Sequence, residues 1–127
     1  MHCIPEYPST PANYNIRRIL DLTERYTMSR AKIIPVGVSS HIREWWVDVA
    51  TIAYRSYVIE KHLALEGRPG VEGPHSLDPD EFAMFVAACR DLEQAMEKHE
   101  SFTDGEIEAR KNLRRNPSDW LRPYTRV

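Results

Sequence analysis

The sequence predicts an α/β fold of three βα units with a parallel sheet, and three observations carry that reading. Short apolar, β-branched runs alternate with longer segments of helical periodicity in the order β-α-β-α-β-α. Strand–helix–strand connections of this kind are right-handed crossovers, which makes the strands parallel. Two of the runs end in polar groups: Val36-Gly37-Val38-Ser39-Ser40-His41 and, its histidine 21 positions later, Val58-Ile59-Glu60-Lys61-His62. Strands that deliver polar side chains at their C-terminal ends, ahead of a loop and a helix, are how parallel α/β enzymes build active sites.

Taken in order, Met1 to Ile4 is a short apolar start that reads as the first strand. A Pro-rich turn, Tyr7-Pro8-Ser9-Thr10-Pro11, leads into a helical pattern with Ile16, Ile19 and Leu20 on one face. Ile33 to Val38 suits a strand buried on both faces. Glu44 to Tyr54 carries Trp45, Val49, Ile52 and Ala53 at helical spacing, and Tyr57 to Ile59 supplies the third strand. Trp45 and Trp46 read as core plus packing surface. A Gly- and Pro-rich loop then precedes the strongest helix, Pro79 to about Lys98. Asp78 is a good N-cap, Pro79 fits the first helical position, Glu81 completes a capping box, and Phe82, Phe85, Val86, Cys89, Leu92 and Met96 form the apolar stripe. Thr103 to Arg115 has the composition of a charged, solvated helix. Trp120 and Tyr124 could dock on the body or on a partner.

The bulk numbers narrow the class. A chain of 127 residues with 42% hydrophobic and 28% charged residues is at most one ordinary soluble domain, and is small for a closed α/β barrel. A net charge of −2 gives no electrostatic case for nucleic acid or an anionic membrane. No apolar run approaches the roughly 20 residues of a membrane span. The first residues lack the basic and apolar regions of a signal peptide. Cys3 and Cys89 are too few for a disulfide framework, so a reducing cytoplasm is expected.

In a parallel sheet neighbouring strands lie about 4.8 Å apart, so residues at matching C-terminal ends converge. His41 and His62 then face one pocket mouth. With Glu60 or Glu72 they suit a divalent ion that keeps open positions for water and substrate. Hydrogen-bonded strand-end histidines are the alternative. Ser39, two residues before His41, shares its side of the strand; its hydroxyl is either a donor to a phosphate or carboxylate or a plain turn serine. Glu60 and Lys61 alternate, one pointing inward and the other toward the helices. His2 is either a buried structural histidine or a ligand, while His75 and His99 are expected to be solvated.

These motifs resemble the sialic acid synthase family, which includes N-acetylneuraminate synthase and its legionaminate and pseudaminate relatives. His2-Cys3, Tyr7-Pro8, Pro11, Asn15-Ile16-Arg17 and Ile19 resemble the family's "HC…YP..P…NLR.I" stretch. Val36 to His41 resembles "VGYSDHT", Val58 to His62 resembles "VIEKH", and Ser76 to Phe82 resembles "SLDPDEF". The likeness covers roughly residues 1 to 98. It implies part of a (β/α)8 TIM barrel, about its last three βα units in residues 1–100, with residues 101–127 as a charged helical tail. It further implies a metal-dependent condensation of phosphoenolpyruvate with an N-acyl amino sugar. By resemblance His41 and His62 are ligands of Mn2+ or Mg2+, Ser39 holds the phosphoenolpyruvate phosphate, and Tyr7 lines the substrate pocket. Glu60 and Glu72 are the catalytic carboxylates.

The departures also matter. Ser40 replaces the Asp of "SDH", Pro5 stands where many relatives have a polar residue, and Arg55 falls in a turn where Gly is usual. The first five strands, with the family's phosphate-binding lysines and an acidic group, have no counterpart, nor does the antifreeze-like C-terminal domain. The expectation is therefore a truncated or split synthase that self-associates or meets a complementary barrel half. A non-catalytic remnant serving as a metal-binding or interaction module is the other reading.

Overall fold

The computed structural model describes residues 1–30, 33–65, 72–97 and 101–113. Its order is β1 (His2–Cys3), α1 (Arg18–Arg30), β2 (Val38–Ser40), α2 (Trp45–Ala50), a 3-10 turn (Thr51–Tyr54), β3 (Ile59–Lys61), a second 3-10 turn (Gly73–His75), α3 (Pro79–Ala95) and α4 (Asp104–Leu113). The three strands form one parallel sheet in the order β1-β2-β3. The βαβαβα order expected from the sequence is therefore present. The chain divides into two compact units, Met1–Met96 and Glu97–Val127. His99, Trp120 and Tyr124 lie outside the described residues.

The strands are shorter than the apolar runs that announced them. Only Val38 to Ser40 pairs regularly, and Ile33, read as buried strand, is 69% exposed. Tyr57 and Val58 are likewise exposed, and β3 begins at Ile59. Residues 33–37 are held by single bonds instead, since Tyr57 N–H donates to the Val36 carbonyl at 3.0 Å and His2 N–H to that of Gly37 at 2.7 Å. Glycine at 37 permits this approach, because a Cβ there would lie 2.8 Å from the Val58 carbonyl oxygen.

Strand alternation sends Val38 to the helix side, where Tyr14, Ile19, Val36, Val38 and Ile42 form the core, flanked by Ile16, Leu22, Val47 and Tyr54. Ser40 and Lys61 point the same way. Lys61 Nζ sits 2.9 Å from Asp48 Oδ2, with neither side chain exposed, and donates to Ser40 Oγ at 3.1 Å and to the Ile42 carbonyl. Tyr14 donates its hydroxyl to Asp48 Oδ1, and burial followed by the Asp48 charge pushes the phenol far above its ordinary pKa. The Ser that replaces the family's Asp thus belongs to a buried network behind the sheet.

At α3 the anticipated capping box is present. Asp78 accepts from Glu81 N–H at 2.8 Å, and Glu81 accepts from Asp78 N–H at 3.0 Å. Phe85 is the buried centre of the α3 stripe, 6.4 Å from the Trp45 ring centroid, whereas Val86 and Met96 stay exposed. Trp46 is exposed, as core-plus-surface packing requires. Arg55 adopts φ 64° and ψ 34°, the left-handed conformation that favours the usual Gly. In the second unit, Thr103 and Glu106 exchange hydrogen bonds at the start of α4, and Arg110 lies 4.4 Å over the Phe102 ring.

Two outcomes test this account in urea unfolding. Lys61→Met leaves Asp48 buried without a counter-charge and should cost about 3 kcal/mol, most of it recovered when Asp48→Leu is added. Asp78→Ala removes a helix cap and should cost about 1 kcal/mol.

Candidate functional site

The face of the sheet opposite the core carries the chemistry. In register across the three strands lie Cys3, Ser39 and Glu60. Ser39 Oγ donates to Glu60 Oε1 at 2.7 Å, so the two family-like residues are partners across β2 and β3. One step beyond the strand ends, His41 and His62 stand on the same face with ring centroids 5.1 Å apart. The segments that follow hold these ends together. Ser9 N–H donates to the His41 carbonyl at 3.0 Å, and Leu77 N–H to the His62 carbonyl at 2.9 Å.

The tautomer of His41 follows from its partner. Its Nδ1 lies 3.1 Å from the Ile4 carbonyl oxygen, which can only accept, so Nδ1 carries the proton and Nε2 keeps its lone pair. A ring nitrogen fixed by a backbone carbonyl is the usual arrangement of a metal-ligating histidine. His2 is the contrasting case. Its Nε2 bonds the Tyr14 carbonyl at 2.9 Å and the residue is buried behind the sheet, a structural histidine.

Tyr7 stacks on His41 at 4.1 Å between centroids while remaining largely exposed, and the bond to Pro8 is cis. Glu72 Oε2 lies 3.8 Å from His62 Nδ1 and 2.6 Å from His75 Nε2. Donor atoms of His62, Glu72 and His75 all lie within 4.8 Å of one another, a spacing one metal ion can span. Burial, and then the neighbouring His75 and His41, hold the His62 imidazole below its ordinary pKa. A neutral imidazole is the form that binds a metal.

His75 is the residue that sequence reasoning misplaced. It was expected in solvent, yet only 2% of it is exposed, and its ring meets those of Tyr7, His41 and His62 at centroid distances of 5.3, 5.5 and 4.7 Å. The available signal was the Glu72-x-x-His75 spacing just ahead of the helix cap. In a 3-10 turn, side chains three apart eclipse, which brings these two together. Arg43 was also missed. It donates to the Ser76 carbonyl at 3.1 Å and pairs with Glu81 at 2.5 Å, tying the loop to α3; that pairing holds the Glu81 carboxyl below its usual range. Among the described residues no helix is long and apolar enough to cross a membrane.

Comparison with known proteins agrees with the motifs. The chain is 30% identical over 97 residues to the N,N'-diacetyllegionaminic acid synthase of Campylobacter jejuni, covering 76% of this chain and 27% of that protein. The human N-acetylneuraminate-9-phosphate synthase is also 30% identical over 97 residues, with 76% and 26% covered. This chain thus spans about a quarter of the length of these relatives. A sialic acid synthetase from Leptospira borgpetersenii, solved with citrate, shares the fold at a TM-score of 0.66 and 24% identity, covering 91% of this chain and 40% of that one. The Bacillus subtilis spore coat polysaccharide biosynthesis protein matches at a TM-score of 0.63 and 25% identity, covering 86% and 34%. The NeuB family model matches residues 1–101, and with it the chain belongs to the NeuB family.

Proposed function

We propose that this chain is part of a cytoplasmic, phosphoenolpyruvate-dependent sugar-acid synthase of nonulosonic acid biosynthesis, with residues 1–100 forming the last three βα units of a (β/α)8 barrel and 101–127 a helical tail. The observation that carries this reading is the pairing of His41 with His62 just past the strand ends, with Glu72 beside His62, in a NeuB-family chain. The residues fit a divalent cation. His41 presents a free Nε2, His62 is biased toward its neutral form, and Glu72 supplies an anionic oxygen beside it. A mixed nitrogen and oxygen donor set suits Mn2+ and accommodates Mg2+.

When bound, such an ion would polarise the aldehyde oxygen of an open-chain N-acyl amino sugar. Everything else falls to the protein's own groups. His41 and His62 hold the ion. The Ser39 hydroxyl, shared at present with Glu60, has a second use as a donor to the phosphate of phosphoenolpyruvate. Glu60 is the carboxylate that would take a proton from water attacking the pyruvyl carbon, with Glu72 kept for the cation. Tyr7, stacked on His41 and open to solvent, forms the wall against which the sugar packs.

The sheet edges bear on how the site is completed. A groove of about 190 Å³ beside β3 is lined by Tyr57, Val58, Ile59, Val86 and Cys89, and one of about 340 Å³ near β1 by Met1, Leu22, Tyr26 and Ile34. The unpaired outer edges of β1 and β3 support closure by a complementary barrel half or a second copy.

Calorimetric titration with Mn2+ tests the metal reading: the chain should bind, and His41→Ala/His62→Ala should abolish binding while leaving the circular dichroism spectrum unchanged. Binding that survives the double substitution, or none by the folded chain, rejects it. For the edges, sedimentation should show species larger than a monomer. A monodisperse monomer that melts cooperatively would count against closure by self-association.

A further inference from the structure

The fully buried His75 has no role in the reaction as described above, yet it touches every ring of the site. Its Nε2 is 2.6 Å from Glu72 Oε2. An ionised carboxylate only accepts, so Nε2 carries the proton. That leaves Nδ1 as a bare acceptor, and it is buried with no hydrogen-bond partner in its surroundings. A buried polar atom without a partner is disfavoured, so packing and the Glu72 bond hold the ring there against that cost. The rings of His41 and His62 meet it edge-on, at 85° and 82°, and Tyr7 closes a third side.

Glu72 needs such a hold. Its side chain is 55% exposed, and an exposed glutamate samples many rotamers. Its backbone is fixed independently. Ser76 Oγ donates to the Glu72 carbonyl at 2.7 Å, and Arg43 anchors Ser76 in turn at 3.1 Å. With the backbone anchored and one carboxylate oxygen clamped by His75, that oxygen stays 3.8 Å from His62 Nδ1. A divalent cation held by His62 would have that carboxylate oxygen beside its ligand.

We propose that Glu72 is a third protein ligand of the metal centre and that His75 is the positioning residue that holds it there. The loop before α3 thereby becomes an arm of the site. This rests on the metal reading of His41 and His62, and goes beyond it by assigning the ligand arm and its support. A ligand carboxylate fixed by a hydrogen bond from an imidazole is the type of outer-shell contact whose loss weakens metal binding about 10- to 100-fold.

The test is Mn2+ binding to the 127-residue chain, followed by loss of the electron paramagnetic resonance signal of free aqueous Mn2+. Glu72→Gln and His75→Ala should each weaken binding by about tenfold or more. Because His75 acts through Glu72, the double variant should bind no more weakly than Glu72→Gln alone. His75→Gln, whose amide can still donate to the carboxylate, should recover part of the loss. It also carries the test together with Glu72→Gln should His75→Ala fail to fold. Unchanged affinity in His75→Gln and Glu72→Gln, with binding still abolished by His41→Ala/His62→Ala, overturns this inference and leaves the two-histidine centre standing. Losses that multiply in the double variant also overturn it. Absence of binding by the unsubstituted folded chain overturns both.

Discussion

The pairing of Lys61 with Asp48 is the constraint on which the site depends. It joins the last residue of β3 to the middle of α2 in a place without water, and Tyr14, Ser40 and the Ile42 carbonyl take up the remaining hydrogen-bonding capacity. Two desolvated charges gain stability only when geometry and added hydrogen bonds are good; here Asp48 Oδ1 accepts from Tyr14, Oδ2 faces the ammonium at 2.9 Å as its ion-pair partner, and the ammonium donates to Ser40 and the Ile42 carbonyl. The pair also fixes register. Side chains alternate along a strand, so Lys61 facing the helices requires Glu60 and His62 to face the other way. A slip of one residue would place the ammonium in the site and both functional groups in the core.

From that register the rest of the site follows by short connections. Glu60 meets Ser39 across the sheet, and His62 meets His41 one step beyond it. The Leu77 to His62 backbone bond brings the loop before α3 back to the strand end, and the 3-10 turn aims Glu72 and His75 at the same point. The α3 capping box fixes the chain direction at Asp78, and Arg43 couples that box through Glu81 to the Ser76 carbonyl. Helix start, loop and strand tip form one mechanical unit, with hydrogen bonds where a small sheet has few apolar contacts to offer.

Much of this was legible in the sequence because it is local. The Asp78-Pro79-Asp80-Glu81 cap, the order of the elements and the shared face of Ser39 and His41 follow from spacing alone. Strand length was not legible. A run such as Ile33 to Val38 is apolar enough for a buried strand, but regular pairing begins only at Val38. Asp48 and His75 were missed for a different reason. A polar residue in a helix or loop reads as solvated unless its partner is known, and the partners here are Lys61, 13 residues after Asp48, and a cluster of rings contributed by three segments. Non-local pairs of this sort leave no periodic trace.

The site and the sheet edges point in one direction. Ser39, Glu60 and Cys3 occupy a face that in a three-stranded sheet stays open, while His75 a few ångströms away is sealed. The sealed part is built from strand ends and loops within residues 1–96. The open part is where the proposed substrate's phosphate and carboxylate would be held, and both Lys61 and Arg43 are already committed to Asp48 and Glu81. The open strand edges of β1 and β3 are where further chain could join the sheet and bring such charge. The proposed metal site thus draws on the strand tips and the loop before α3, whereas Ser39 and Tyr7, the groups proposed to meet substrate, lie on the side left open.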